Sequence, residues 1–366
     1  MQAVFKMTDE NKVFYKTLVV LCIPIIIQNL ISTLVNMVDT VMVGSLGEVS
    51  VAAIGIANQY FFLFNMALSG IIGGAGIFMA QFYGKGDKDS IKKITGLSVI
   101  AALVLGIVFF ILAVFFPNLI INFFSHDQLV VKQAREYFLV IGFCYPIMAV
   151  SYIFSMGSRS VRNPRLGMVC SSISLVINII LNYVFIFGHF GAPALGVKGA
   201  AVATVVARIV EFILLISYVY FIKEDYELRF GIKDIKGITK ELATTVIKKS
   251  TPVFLNDTIW AFGSVLYSVA YATAGTSAIA ASQIASTTGN FFIMTAVCIA
   301  IGSSIMMGNE LGANNIDTAV RYSKKILCTC YYSRTYFWNT INKCNAIIIK
   351  NVQRIRQFSS RHHKNI

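Results

Sequence analysis

Asp39 is the only acidic or basic side chain between Lys16 and Glu48, and apolar residues surround it. An ionisable group inside a bilayer-length segment costs about 3 kcal/mol on insertion scales, so a carboxylate there is a candidate for handling an ion or a charged substrate. Ser174, Asn178 and Asn182 recur every four residues in a later apolar run, which puts them on one face of a helix. Thr204 falls in the run after that. One carboxylate with amide and hydroxyl oxygens is the hard-ligand set that suits a small cation, and a desolvated carboxylate could equally take a proton. The bland alternative is interhelical hydrogen bonding that only holds the bundle together. Asp257, in a seventh apolar segment, is a candidate for the ion or substrate path. Arg208 and Glu211, three apart on one helix face, read as a structural ion pair, and Glu310 as an interfacial residue.

Enzyme chemistry finds no such constellation. His126 and His189 fall in connections and His362-His363 in the basic tail, so neither a nucleophile triad nor a metal cluster can be assembled, and no cofactor is implied. Gly70, Gly73, Gly74 and Gly76 sit in an apolar run with no preceding strand, where close helix packing is the expected use rather than phosphate binding. The cysteines show no CxxC pair; Cys22, Cys144, Cys170 and Cys298 lie in apolar stretches and act as small hydrophobes.

The elements that must position these groups are transmembrane helices. With 56% hydrophobic residues, 13% charged residues and a mean hydropathy of +0.71, the 366-residue chain has too little polar surface for a water-soluble globule. Stretches of about twenty apolar residues predict eight spans, near 17-43, 51-80, 94-116, 137-157, 166-188, 197-222, 252-273 and 278-308. The first is too long for a cleaved signal peptide and is read as retained. Counting along the spans puts Asp39, Asn182 and Thr204 at a common depth below the outer surface, about 7 Å for Asp39.

The chain also repeats itself. Pro24 pairs with Pro252, Gly47 with Gly275, Ala52-Ala53 with Ala280-Ala281, Gly74 with Gly302, Gly84 with Gly312 and Asp89 with Asp317, all at one offset of 228 residues. The offset encloses six spans, an even number, so both copies enter the membrane in the same direction and the repeats are parallel. The predicted fold is an all-α membrane protein of two parallel-repeat helical lobes, six helices plus an incomplete second set. Residues 1-222 form the first lobe, 223-249 a cytoplasmic linker, 250-325 the incomplete second lobe and 326-366 an aberrant basic tail. Asp257 has Asn29 as its repeat partner, so the lobes are not chemically equivalent.

Connections alternate between 20 basic residues and 3, which places the N-terminus and every second loop on the cytoplasmic side of an inner (plasma) membrane. The net charge of +14 resides in these short loops and in the last 46 residues, where anionic lipid headgroups are the nearer partner than nucleic acid. Past Asp317 the repeat register ends and no acidic residue follows. Residues 326-366 are therefore expected not to form a native ninth helix, and a reading-frame slip is the simplest reading.

Met37-Val38-Asp39-Thr40-Val41-Met42-Val43-Gly44, Ala52-Ala53-Ile54-Gly55, Gln81-Phe82-Tyr83-Gly84-Lys85-Gly86-Asp87, Asn163-Pro164-Arg165 and Leu195-Gly196-Val197-Lys198-Gly199-Ala200-Ala201 together resemble the multidrug and toxic compound extrusion family. The resemblance implies a twelve-helix, two-lobe antiporter that exports small organic cations and drugs in exchange for sodium ions or protons. It implies coupling roles for Asp39, Asn178 and Asn182, with Asn182 standing where some members have aspartate. A lipid-linked precursor flippase would need a strongly basic central cavity; here only Arg208 is read as lying deep in a span. An intramembrane enzyme would need paired carboxylates or a His/Cys set, and a non-functional remnant is the third rival.

Overall fold

In a computed structural model, residues 9–273, 293 and 296–328 are described. They form helices joined by turns. Two compact units divide the chain, one of residues 15–315 and one of residues 1–14 with 316–366. In the second, smaller unit the Phe14 and Tyr322 rings lie 5.0 Å apart and Lys325 stands over Phe14.

In the larger unit, α1 (Asp9–Gly44, its first residues belonging to the smaller unit), α2 (Glu48–Lys85) and α3 (Lys88–Phe115) are long enough and apolar enough to cross a membrane. So are α7 (Pro164–Phe187) and α8 (Val197–Ser217), the latter extended by a π-helical turn, Tyr218–Ile222. The predicted fourth span is made of α5 (Gln128–Ile141) and α6 (Cys144–Ser160), which meet at a 51° bend. Short α4 (Pro117–Phe124) precedes them, with Pro117 in its first turn where the missing N–H costs nothing.

The first six predicted spans thus correspond to five single helices and one bent pair. The seventh falls within α10 (Lys240–Thr273), which follows the short α9 (Ile232–Lys236). The eighth is described only through α11 (Ala296–Gly312), the rest lying outside the described residues. A helix continues over 316–328, so the expectation for 326–366 falls almost wholly outside them too.

The outer surface is the apolar one. Val104 is 58% exposed, and Leu103, Ile107, Val108 and Ile111 beside it on α3 are exposed as well. A water-soluble helix would bury such a face; here it suits hydrocarbon. The interior is close-packed by small residues. A methyl group on Gly70, Gly73 or Gly74 would collide with Phe254, Val253 or Ser250 of α10, and one on Gly76 with Met156 of α6. The glycine run is therefore a packing surface, as the sequence suggests. At the α2–α3 turn, Asp87 caps α3 by accepting bonds from Ser90 N–H at 3.0 Å and Ser90 Oγ at 2.9 Å. Burial pushes its carboxyl pKa up, but the Ser90 bonds and nearby Lys85 and Lys93 outweigh that and hold it below the usual range.

Candidate functional site

Asp39, Asn178, Asn182 and Thr204 converge on one point between α1, α7 and α8. Asp39 is 7% exposed, and Asn182 is completely buried. Asn182 Nδ2 donates to Asp39 Oδ1 and, at 3.2 Å, to Asn178 Oδ1. Thr204 Oγ1 donates to Asp39 Oδ2 at 3.3 Å and accepts from Asn178 Nδ2 at 3.3 Å. Because α7 and α8 pack closely and antiparallel, the i, i+4 asparagine pair on α7 meets Thr204 on α8 and both reach the carboxylate on α1. Ser174, one turn further along the same face, donates to the Ala207 carbonyl at 2.9 Å and so ties α7 to α8.

Two features give this cluster chemical capacity. The donors on Asp39, Asn182 and Thr204, are neutral, so dipoles hold its charge. Among the described residues, Asn182 Oδ1 is buried with no hydrogen-bond partner. An orphaned amide oxygen is an open acceptor, a cost of about 1–3 kcal/mol that a cation or a proton donor reaching it would relieve. Asp39, Thr204, Arg208 and Tyr137 line a cavity of about 40 Å³, room for a dehydrated ion or a water but not for a drug.

Arg208 and Glu211 form the ion pair read from their spacing, Nη1 to Oε2 at 2.7 Å, buried on α8. Ser171 Oγ donates to the other carboxylate oxygen at 2.6 Å. Beyond this pair opens a second cavity of about 310 Å³, with Arg208 on its wall as well. Gln28 and Arg159 line it. Neither has a local signal in the sequence: Gln28 is uncharged, and Arg159 stands at the end of a predicted span, where basic residues ordinarily meet the interface. The structure corrects this: Arg159 ends α6 but turns inward, its Nη2 donating to Gln28 Oε1 at 2.5 Å. Asp257 does not join either cavity. It is half-buried on α10, and its Oδ1 accepts from Nδ2 of its neighbour Asn256 at 3.5 Å.

At the far end of α2 the repeat becomes contact. A methyl group on Gly84 would overlap the Asn309 carbonyl on α11, and one on Gly312 would overlap the Gln81 carbonyl on α2. Gln81 and Asn309 are repeat mates, as are Gly84 and Gly312, so the contact is a local two-fold in which each copy's glycine seats the other's backbone. Glu310 stands beside it, 3.5 Å from Arg162 of the α6–α7 turn.

Against known proteins, the MatE family model matches residues 24–184 and again 252–333. The two matches begin at Pro24 and Pro252, the mates of the internal repeat. The probable multidrug resistance protein NorM of Thermotoga maritima is 27% identical over 311 residues, covering 84% of this chain and 65% of that protein. The multidrug resistance protein MdtK of Photorhabdus laumondii is 29% identical over 316 residues, covering 83% and 66%. The chain therefore spans about two-thirds of the length of these relatives. A solved outward-facing multidrug resistance MATE transporter of the MOP superfamily superposes with a TM-score of 0.75 at 24% identity, over 85% of this chain and 68% of that one. With a family match over more than half its length, begun twice at equivalent prolines, the chain belongs to the MatE family of multidrug and toxic compound extrusion transporters.

Proposed function

We propose that the chain acts as a secondary active antiporter, exporting small organic cations or drugs in exchange for sodium ions or protons by alternating access, with Asp39 as the ion-responsive group. The observation that carries this reading is the buried Asp39 carboxylate, held by neutral donors next to the partnerless Asn182 Oδ1. A cation or proton arriving there replaces an uncompensated charge with a neutral cluster, and charge neutralisation is what biases a two-state bundle. Asn178 and Thr204 hold the donors in register, and Asp257 lies on the path of the second lobe. The names of the relatives, which describe multidrug resistance, agree with this reading. The two lobes are residues 1-222 and 250-325, joined by the linker 223-249.

The test is dye efflux from proteoliposomes under an imposed sodium gradient and, separately, an imposed proton gradient. Transport driven by one of them identifies the coupling ion. Efflux indifferent to both sinks the antiporter reading.

Orientation follows the basic loops: the N-terminus and the turns near Lys88, Arg162 and Lys236 lie in the cytoplasm of a cell with the protein in its inner membrane, whereas Ser45, Asp127 and Pro193 face outward. Single cysteines at these positions, in a cysteine-free background, should react with a membrane-impermeant thiol reagent in those two groups. Labelling at Arg162 from outside would reverse the topology.

A further inference from the structure

The larger cavity has a charge balance opposite to what a cation exporter requires. Its titratable lining groups are Tyr152, Arg159, Arg208 and Glu211. Glu211 is committed on both oxygens, to Arg208 and to Ser171. That leaves Arg159 with no carboxylate among the described residues and the lining with one net positive charge. An arginine at the end of a span ordinarily snorkels to the water interface. Arg159 instead turns towards α1, where Gln28 is oriented to receive it: Gln28 Nε2 donates to Ser155 Oγ at 3.0 Å and to Ser171 Oγ at 3.1 Å, which points Oε1 at the guanidinium. Among the described residues, Arg159 Nε is buried with no hydrogen-bond partner. A held guanidinium at the wall of a polar cavity of about 310 Å³ is built for a planar monoanion.

We propose that this cavity binds the carboxylate of a small organic molecule, with Arg159 as its counter-charge and Gln28 as the residue that positions Arg159. The proposal rests on the export reading above and confines its substrates at this cavity to drugs that carry a carboxylate, zwitterions included, and excludes simple organic cations.

The experiment uses the full chain in lipid nanodiscs and two fluorescent probes, dansylglycine and its methyl ester, which differ only in the carboxylate charge. The native protein is expected to bind the acid about tenfold more tightly than the ester, the margin of a desolvated charge-assisted pair. Arg159→Gln should bind both alike. Asn65→Asp, which adds a carboxylate to the cavity lining without touching Arg159, should also remove the preference and so covers the case in which Arg159→Gln misfolds. Equal binding of the two probes by native protein, or a preference that survives both substitutions, overturns the site. Asp39→Asn should keep the acid preference. Loss of ion-driven export with the preference intact therefore speaks only to the coupling site, and loss of the preference with export intact only to this cavity.

Discussion

Asp39→Asn is expected to insert and fold normally but to lose ion-driven export. The asparagine side chain nearly matches the carboxylate in shape; its oxygen still accepts from Thr204 Oγ1, now 3.3 Å from Asp39 Oδ2, and its nitrogen is accommodated when the Asn182 amide turns over to present Oδ1 in place of Nδ2. Packing is therefore preserved while the change of charge on ion binding is removed. A coupling free energy of about 1–3 kcal/mol between the ion and the moving bundle corresponds to a loss of about 5–150-fold in gradient-dependent rate. The measurement is initial efflux with and without the gradient; the variant should run at its gradient-free rate under both conditions. Native stimulation by the gradient in Asp39→Asn would remove Asp39 from the coupling role, whatever Asn178 and Asn182 contribute.

Much of that cluster was legible before any coordinates. A carboxylate alone among apolar residues is expensive, the Asn178/Asn182 spacing fixes one helix face, and counting residues from the surface gave a shared depth. Each of these depends on a local rule. What was not legible depended on chain segments far apart. The bend after Ile141 has a local cause in Pro146, whose missing N–H leaves the Gly142 carbonyl without its i+4 donor, but the apolar run continues across it, so periodicity reads the two helices α5 and α6 as one span. Arg159 was misread because a basic residue at a span's end belongs at the interface by every local criterion, and only Gln28, 131 residues away, turns it inward. Asp257, the other acidic residue read as functional, lies outside both cavity linings.

Gly84→Ala and Gly312→Ala are expected to be the most damaging one-methyl changes in the chain. At both positions the new atom meets a backbone carbonyl of the facing helix, which cannot rotate away as a side chain would. Overpacking of that kind costs about 1–3 kcal/mol, and a two-state bundle translates it into about a 5–150-fold shift away from the state in which α2 and α11 touch. The touching state has little in reserve. Asn309 keeps both side-chain amide atoms buried without partners among the described residues, and the Arg162–Glu310 pair, 43% and 19% exposed, adds at most about 1 kcal/mol. In the two-lobe reading, then, either alanine prevents the end bearing Lys85 and Arg162 from closing, and alternating access stops. Gly55→Ala is the control, since nothing lies within 4 Å of the added carbon there. It should transport normally and gain about 0.5–1 kcal/mol of helix stability. A cysteine at Ser155, in a cysteine-free background, reads the conformation: it should react roughly tenfold faster with a thiol reagent supplied from that end in either glycine variant than in the parent or in Gly55→Ala. Unchanged labelling together with unchanged efflux in both variants would mean that the paired glycines only fill space.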